Sequence, residues 1–401
     1  MAGSDSVGPP GDRYAGPNAD PSVIDGRPIE AVESAFRVYE VRRDGERVLY
    51  YGEPLVAADR VVEHAWEPFR SAGYEIDMRR KGGEYVLVAE PVDLSIDGIP
   101  WTNVVLFVLT VVSTLFAGTL WYHVDVGANP LGILRAWPFT AALLFVLGVH
   151  ELGHYVMSRY HGVRATLPYF IPVPSIIGTM GAVIRMKGRM PDRKALFDIG
   201  VAGPLAGLAA TVLVTVVGLF LDPVTVPQSV VESSEAVQVQ IGFPPLLRAL
   251  AAITGQPLEY ADPAKSVNPV VIAGWVGMFV TFLNMLPVGQ LDGGHVFRAI
   301  LGKRQETVAS LVPAVLFTFA ATLYYSPEVL TWYPGFDPAG AGNAAGLWMF
   351  WGLFATLLAA VGPANPVDDG TLDHRRKLVG IASIVLGALC FAPIPVAIVG
   401  G

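Results

Sequence analysis

Six stretches of this chain contain no Asp, Glu, Lys or Arg: 98–124, 199–221, 266–291, 307–327, 338–367 and 378–401. Each reaches the ~20 residues that a helix needs to cross the ~30 Å hydrocarbon core of a bilayer. A seventh apolar stretch, 136–158, is interrupted only by His150, Glu151 and His154. A chain so segmented has few options. In lipid every backbone polar group must be satisfied internally, so such stretches become helices. The expected fold class is an α-helical polytopic membrane protein with about seven transmembrane helices.

The residues before the first stretch are different. Residues 1–98 hold 19 acids and 11 Lys/Arg and so carry the whole net charge of −8, while residues 99–401 hold 16 of each. Overall 15% of residues are charged, against about 25% in soluble domains. Residues 1–30, rich in Gly, Pro and Asp, read as a disordered tail. Residues 31–98 read as a small soluble cytoplasmic α+β domain. Phe36–Val41 and Val48–Tyr51 flank the turn signal Asp44-Gly45. Helical spacing follows over 56–71, then strands near 73–78 and 84–90, giving the order β-β-α-β-β. No chemical motif occurs in it, so it is expected to be a stabilising appendage or to receive a regulatory partner. Residues 99–401 are expected to form the membrane-embedded part, with its core at about 136–300.

Positive charge sets the expected orientation. Segments near 79–81, 159–194, 298–304 and 375–377 hold 3, 7, 3 and 3 Lys/Arg, and the alternate loops hold only Arg135, Arg248 and Lys265. That places the first set in the cytoplasm. An odd number of spans follows, with the N-terminus cytoplasmic and the C-terminus external in a multi-pass cell membrane. The loop 160–195 carries Arg164, Arg185, Lys187 and four prolines, yet Leu167 to Val183 is largely apolar. An amphipathic or re-entrant hairpin beside a water-filled site fits that pattern.

The polar interruption of 136–158 is His150-Glu-Leu-Gly-His154, an H-E-x-x-H motif. On a helix the two histidines fall on one face, one turn apart. There they can share one Zn²⁺. Glu151 sits beside the first ligand, where it can act as general base on a water and then pass the proton to a leaving amine. The single cysteine, Cys390, excludes a Cys-rich metal site. A chance match would leave three ionisable groups buried near hydrocarbon without compensation, at a cost of several kcal/mol. Asp292 is the only acid in 263–305 and is the expected third ligand, with His295 as its rival. Asn284, a little over two turns earlier, can bond a substrate backbone or an oxyanion. It can also serve as a packing amide between helices. Gly203 and Gly207, in Ala202-Gly-Pro-Leu-Ala-Gly207, form a small-xxx-small face suited to close approach of the H-E-x-x-H helix.

Together, HELGH and the later Asn284-x-x-Pro287-x-x-x-x-Asp292-Gly293 resemble the site-2 protease family of intramembrane zinc metalloproteases. His161-Gly-Val163, Leu167–Phe170, Gly178 to Gly181 and Ala202–Gly207 also resemble it. The likeness is greatest to the branch of chloroplast EGY-type proteases and their prokaryotic relatives, over about 100–300. The resemblance implies one zinc ion on His150, His154 and Asp292, Glu151 as the catalytic residue and Asn284 as an accessory. It also implies cleavage of transmembrane-helix protein substrates within the bilayer, in regulated intramembrane proteolysis. Many members carry a PDZ domain between catalytic spans. Here that interval is 222–267, too short for one, and the N-terminal domain is the candidate for a comparable role. Membrane lipid is the expected surroundings, and nucleic acid is not an expected partner. A membrane transporter or metal sensor using the same ligands is the competing class. It would show internal repeats and ionisable residues along a path, whereas here the ionisable groups converge on one place.

Overall fold

A computed structural model of the chain describes residues 30–95, 98–231, 238–334, 336 and 338–399. The expected disordered tail lies outside the described residues up to position 29. After a helical turn α1 (Glu30–Glu33), the first unit is β1 (Phe36–Asp44), β2 (Arg47–Pro54), α2 (Ala58–Ser71), β3 (Tyr74–Lys81) and β4 (Glu84–Pro91). The strands form one antiparallel sheet in the order β1-β2-β4-β3. The β1–β2 hairpin closes from Asp44 to Arg47 through Gly45, whose φ of 65° suits a residue without a β-carbon. α2 packs Val61, Val62, Ala65, Trp66 and Phe69 against Val48, Tyr50, Leu87 and Ala89 on one face of the sheet.

The remainder is mostly helical. α3 (Trp101–Trp121) leads through a 3₁₀ turn to α4 (Trp137–Tyr160). Five short strands follow: β5 (Arg164–Ala165), β6 (Tyr169–Pro172), β7 (Thr179–Val183), β8 (Met186–Lys187) and β9 (Met190–Asp192). Then come α5 (Arg193–Leu219), β10 (Val224–Thr225), α6 (Gln228–Val231), β11 (Gln238–Ile241), α7 (Pro245–Thr254), β12 (Lys265–Ser266) and α8 (Pro269–Asn284). The chain ends with α9 (Asp292–Leu301), α10 (Gln305–Tyr325), α11 (Ala341–Val361), β13 (Pro366–Asp368), α12 (His374–Leu389) and β14 (Val396–Val399).

Among the described residues, five helical segments are long and apolar enough to cross a membrane: 101–121, 130–160, 193–219, 292–325 and 341–361. The other two expected spans, 266–291 and 378–401, hold α8 and α12, of 16 residues each. At 1.5 Å per residue these are ~24 Å long, short of the hydrocarbon thickness. Their shortness has local causes. Pro287 follows the end of α8, Gly289 adopts φ 55°, and Pro393 and Pro395 follow α12. α8 is nearly enclosed, with Val270 to Met278 all buried. α3, by contrast, turns Val105, Val108, Val112 and Phe116 outward, as a helix facing lipid does.

The loops gather at two ends. At one end β13 pairs in parallel with β9, Pro366 opposite Met190, and Arg193 bonds the carbonyls of Ala299 and Gly370. At the other end β11 pairs with β14 and β10 with β12. The apolar loop of the sequence is the β6–β7 hairpin. It lies along α3: Asn103 donates to the Leu167 and Pro168 carbonyls, Ser113 to Gly178, and Trp121 to Ile176.

Candidate metal centre

α4, α5, α8 and α9 meet at the buried polar site. α4 carries His150, Glu151 and His154, which are 4%, 6% and 6% exposed inside a helix otherwise lined by Phe139, Leu143, Val146 and Leu147. α5 is the surface on which these side chains rest. A β-carbon on Gly203 would overlap the His154 ring, and one on Gly207 would lie 2.7 Å from His150 Nδ1. The small-residue face therefore meets the H-E-x-x-H helix. One turn earlier, a β-carbon on Gly200 would lie 2.9 Å from His295 Cβ, so the same glycine row also admits α9.

The break between α8 and α9 delivers the carboxylate. α8 ends at Asn284, the chain turns through Leu286 and Pro287, and α9 restarts with Asp292 in its first turn. An acid there faces the positive end of the helix dipole. The restart is tight: a β-carbon on Gly293 would overlap the Met285 carbonyl. Gln305 Nε2 donates to the Pro287 carbonyl at 3.0 Å and ties down the turn.

The result is a cluster of His150, His154 and Asp292 whose donor atoms lie within 4.8 Å of one another. His150 Nε2 is 3.1 Å from Asp292 Oδ2 and 3.2 Å from His154 Nε2. His154 Nε2 is 3.1 Å from Asp292 Oδ1. Asn284 Nδ2 lies 3.3 Å from His150 Nε2. His295 is buried with Nδ1 unpartnered and is not in the cluster.

The protonation pattern tests whether a cation belongs there. His154 Nδ1 is 2.7 Å from the Ile199 carbonyl. A carbonyl only accepts, so Nδ1 carries the hydrogen, and in the neutral ring Nε2 presents a lone pair. That lone pair faces a carboxylate oxygen and a second imidazole nitrogen, both within 3.2 Å. A positive charge between them, a metal ion or a proton, relieves the repulsion of these three acceptors. Two donors bound to one tetrahedral zinc at about 2.0–2.1 Å are separated by roughly 3.3 Å, close to the spacings here. A carbonyl that fixes the far nitrogen of a ligating histidine is also a usual feature of such sites.

The Ile184 amide, just past β7, lies beside the Glu151 carboxylate. The hairpin loop and the H-E-x-x-H helix thus meet at the acid itself. Sequence reasoning did not foresee Ile199, which acts through its backbone and leaves no side-chain signal. Nor did it foresee Arg298, 3% exposed, which bonds Asn365 and both oxygens of Asp369 behind α9. The lone Arg298 after Asp292 and the Asp368-Asp369 pair were the available signals.

Residues 138–324 match the model of peptidase family M50. That stretch is similar to M50 peptidase domains. It is 34% identical over 265 residues to the probable zinc metalloprotease EGY1, chloroplastic, of Arabidopsis thaliana, covering 65% of this chain and 43% of that protein. It is 32% identical over 274 residues to EGY1 of Oryza sativa subsp. japonica, covering 65% and 41%, and 32% identical over 200 residues to Arabidopsis EGY2, covering 49% and 34%. This chain therefore spans well under half the length of these relatives. Their names specify zinc, which suits the His/His/Asp donor set here. Their names also place them in chloroplasts and give no support to the expected cell membrane. No solved structure matches the chain.

Proposed function

We propose that this protein is an intramembrane zinc metallopeptidase that hydrolyses peptide bonds within transmembrane helices of protein substrates. The observation that carries the reading is the convergence of His150 Nε2, His154 Nε2 and the Asp292 carboxylate to 3.1–3.2 Å of one another, with His154 Nδ1 held on the Ile199 carbonyl. His150, His154 and Asp292 would hold the ion. When bound, zinc supplies a Lewis acid that activates a water and polarises a carbonyl. Glu151, one residue from His150, takes the proton of the attacking water and returns it to the leaving amine. The Ile184 amide beside it orients the carboxylate. Asn284, which reaches His150 Nε2, donates its amide to the oxygen that gains charge at the scissile carbonyl.

The loop pairings support a seven-crossing arrangement in which α8 and α9 together make one broken crossing. β9, β13 and the α9–α10 junction gather at one end, and β11 and β14 at the other. The Lys/Arg split supports the first end being cytoplasmic, with residues 31–98 outside the membrane on that side and a C-terminus external to a cell membrane. A transporter using the same ligands would need Glu151 on the metal, and Glu151 lies outside the His150, His154 and Asp292 cluster.

Glu151→Gln decides between the two. The purified variant should keep zinc while cleavage of a transmembrane-helix substrate falls by about 10²–10⁴-fold, the usual contribution of a positioned acid–base group. Wild-type cleavage would remove the mechanism, and loss of zinc would favour the transport reading.

A further inference from the structure

The N-terminal domain grips the loop that contacts Glu151. Arg70, at the end of α2 and 8% exposed, donates to the carbonyls of His161 and Gly162 at 3.2 and 2.5 Å, just past the end of α4. Glu75, on β3, accepts the Arg189 backbone amide at 2.7 Å and pairs with Arg164 at 3.4 Å. Gly188, with φ 92°, passes so close to the Glu75 carboxylate that a β-carbon would overlap it. Arg164 also donates to the Pro91 carbonyl, and Val367 beside β9 packs on the domain's core. The grip falls on backbone at both strands of the loop's stem.

The stem is continuous with the site. β5 pairs with β8, Arg164 opposite Lys187 and Ala165 opposite Met186. Thr166 extends the pairing: its amide bonds the Arg185 carbonyl, and its hydroxyl accepts the Arg185 amide, both at 3.0 Å. The next residue is Ile184, whose amide meets Glu151. Only Arg185 to Gly188, the first three of them paired, separate Ile184 from the Glu75 anchor at Arg189. A charge-assisted bond to a backbone amide is among the stronger ones. The neighbouring Asp77–Arg189 pair is about 40% exposed on both sides and contributes little.

We propose that Glu75 and Arg70 of the N-terminal domain are positioning residues for Glu151, acting through the 161–192 loop. This rests on the reading that Glu151 serves catalysis. The domain is then part of the catalytic frame, and a partner that displaced β3 from Gly188 would lower turnover without touching the metal centre. Small displacements far from the reacting atoms are enough to reduce rates by up to about 10²-fold.

The test uses the full chain in nanodiscs with a transmembrane-helix substrate. For Glu75→Ala we expect kcat to fall about 10-fold or more, with KM and zinc content near wild type and faster amide exchange across 176–192. Glu75→Gln keeps an acceptor for the Arg189 amide and should recover most of kcat. Asp77→Ala should match wild type. Wild-type kcat in Glu75→Ala overturns the proposal. So does a loss that comes with loss of zinc, or one that Glu75→Gln does not restore. Glu151→Gln is assayed in parallel: if that variant cleaves normally, the catalytic reading has failed, while the exchange data still report whether Glu75 holds the loop.

Discussion

Gly203 of α5 lies so close to His154 of α4 that a β-carbon would overlap the imidazole Nε2. The ring cannot retreat, because its other nitrogen is bonded to the Ile199 carbonyl at 2.7 Å. A single methyl group is therefore aimed at one donor atom of the cluster. Gly203→Ala should weaken zinc binding by roughly 10–100-fold, the loss typical of disturbing the support of a ligating histidine. Titration against a competing chelator measures this. Gly207→Ala, which meets the edge of His150 at 2.7 Å, should have a smaller effect. Equal zinc affinity in Gly203→Ala and wild type would mean that His154 does not ligate through Nε2.

The ligand set can be separated from its rival. His150→Ala, His154→Ala and Asp292→Ala should each lose most of the one zinc per chain, measured by metal analysis after purification. His295→Ala should retain it, since His295 lies outside the cluster. Its β-carbon lies against Gly200 instead. Zinc kept in Asp292→Ala and lost in His295→Ala would reverse the assignment.

Much of this was legible in the sequence because the signals are local. The N-terminal strands are short apolar runs bounded by turn signals such as Asp44-Gly45, so the order β-β-α-β-β emerges directly. His150, Glu151 and His154 stand out because no other charged side chain shares their stretch, and Asp292 because it is the only acid in 263–305. The lengths of α8 and α12 were not legible. A charge-free run reports where a helix can lie in lipid, and Pro287, Gly289, Pro393 and Pro395 decide where it ends. The C-terminal contacts were hidden for a different reason. Arg298 to Asp369 and Arg376 to Asp198 are pairings across 71 and 178 residues, and no periodicity records them.

The proposed orientation rests on the Lys/Arg distribution. A reporter fused after residue 98 should be cytoplasmic, and reporters at about 240 and at the C-terminus should be external. β11 and β14 pair directly, Ile241 opposite Val396, so those last two positions must agree with each other. Reporters on opposite sides would contradict both the span count and the pairing.

Behind the cluster, Arg298 holds the C-terminal loop against α9, two turns from Asp292. It is 3% exposed, and it bonds Asn365 at 3.0 Å and Asp369 through two hydrogen bonds of 3.1 Å. Removing the partner of a buried charge costs about 3–5 kcal/mol, whereas replacing the whole pair by apolar groups is often neutral. Asp369 is 36% exposed, so some screening remains and the cost should lie near or below the lower end of that range. Asp369→Ala should therefore lower the thermal midpoint of the protein in detergent. The double variant Arg298→Met with Asp369→Ala should recover part of the loss, because it also removes the buried guanidinium. Both should loosen α9 and reduce turnover more than zinc content, since Asp292 sits at the head of that helix and remains able to ligate. If the double variant were less stable than Asp369→Ala alone, Arg298 would be acting through Asn365 and the Arg298–Asp369 pair would not be the contact that holds α9.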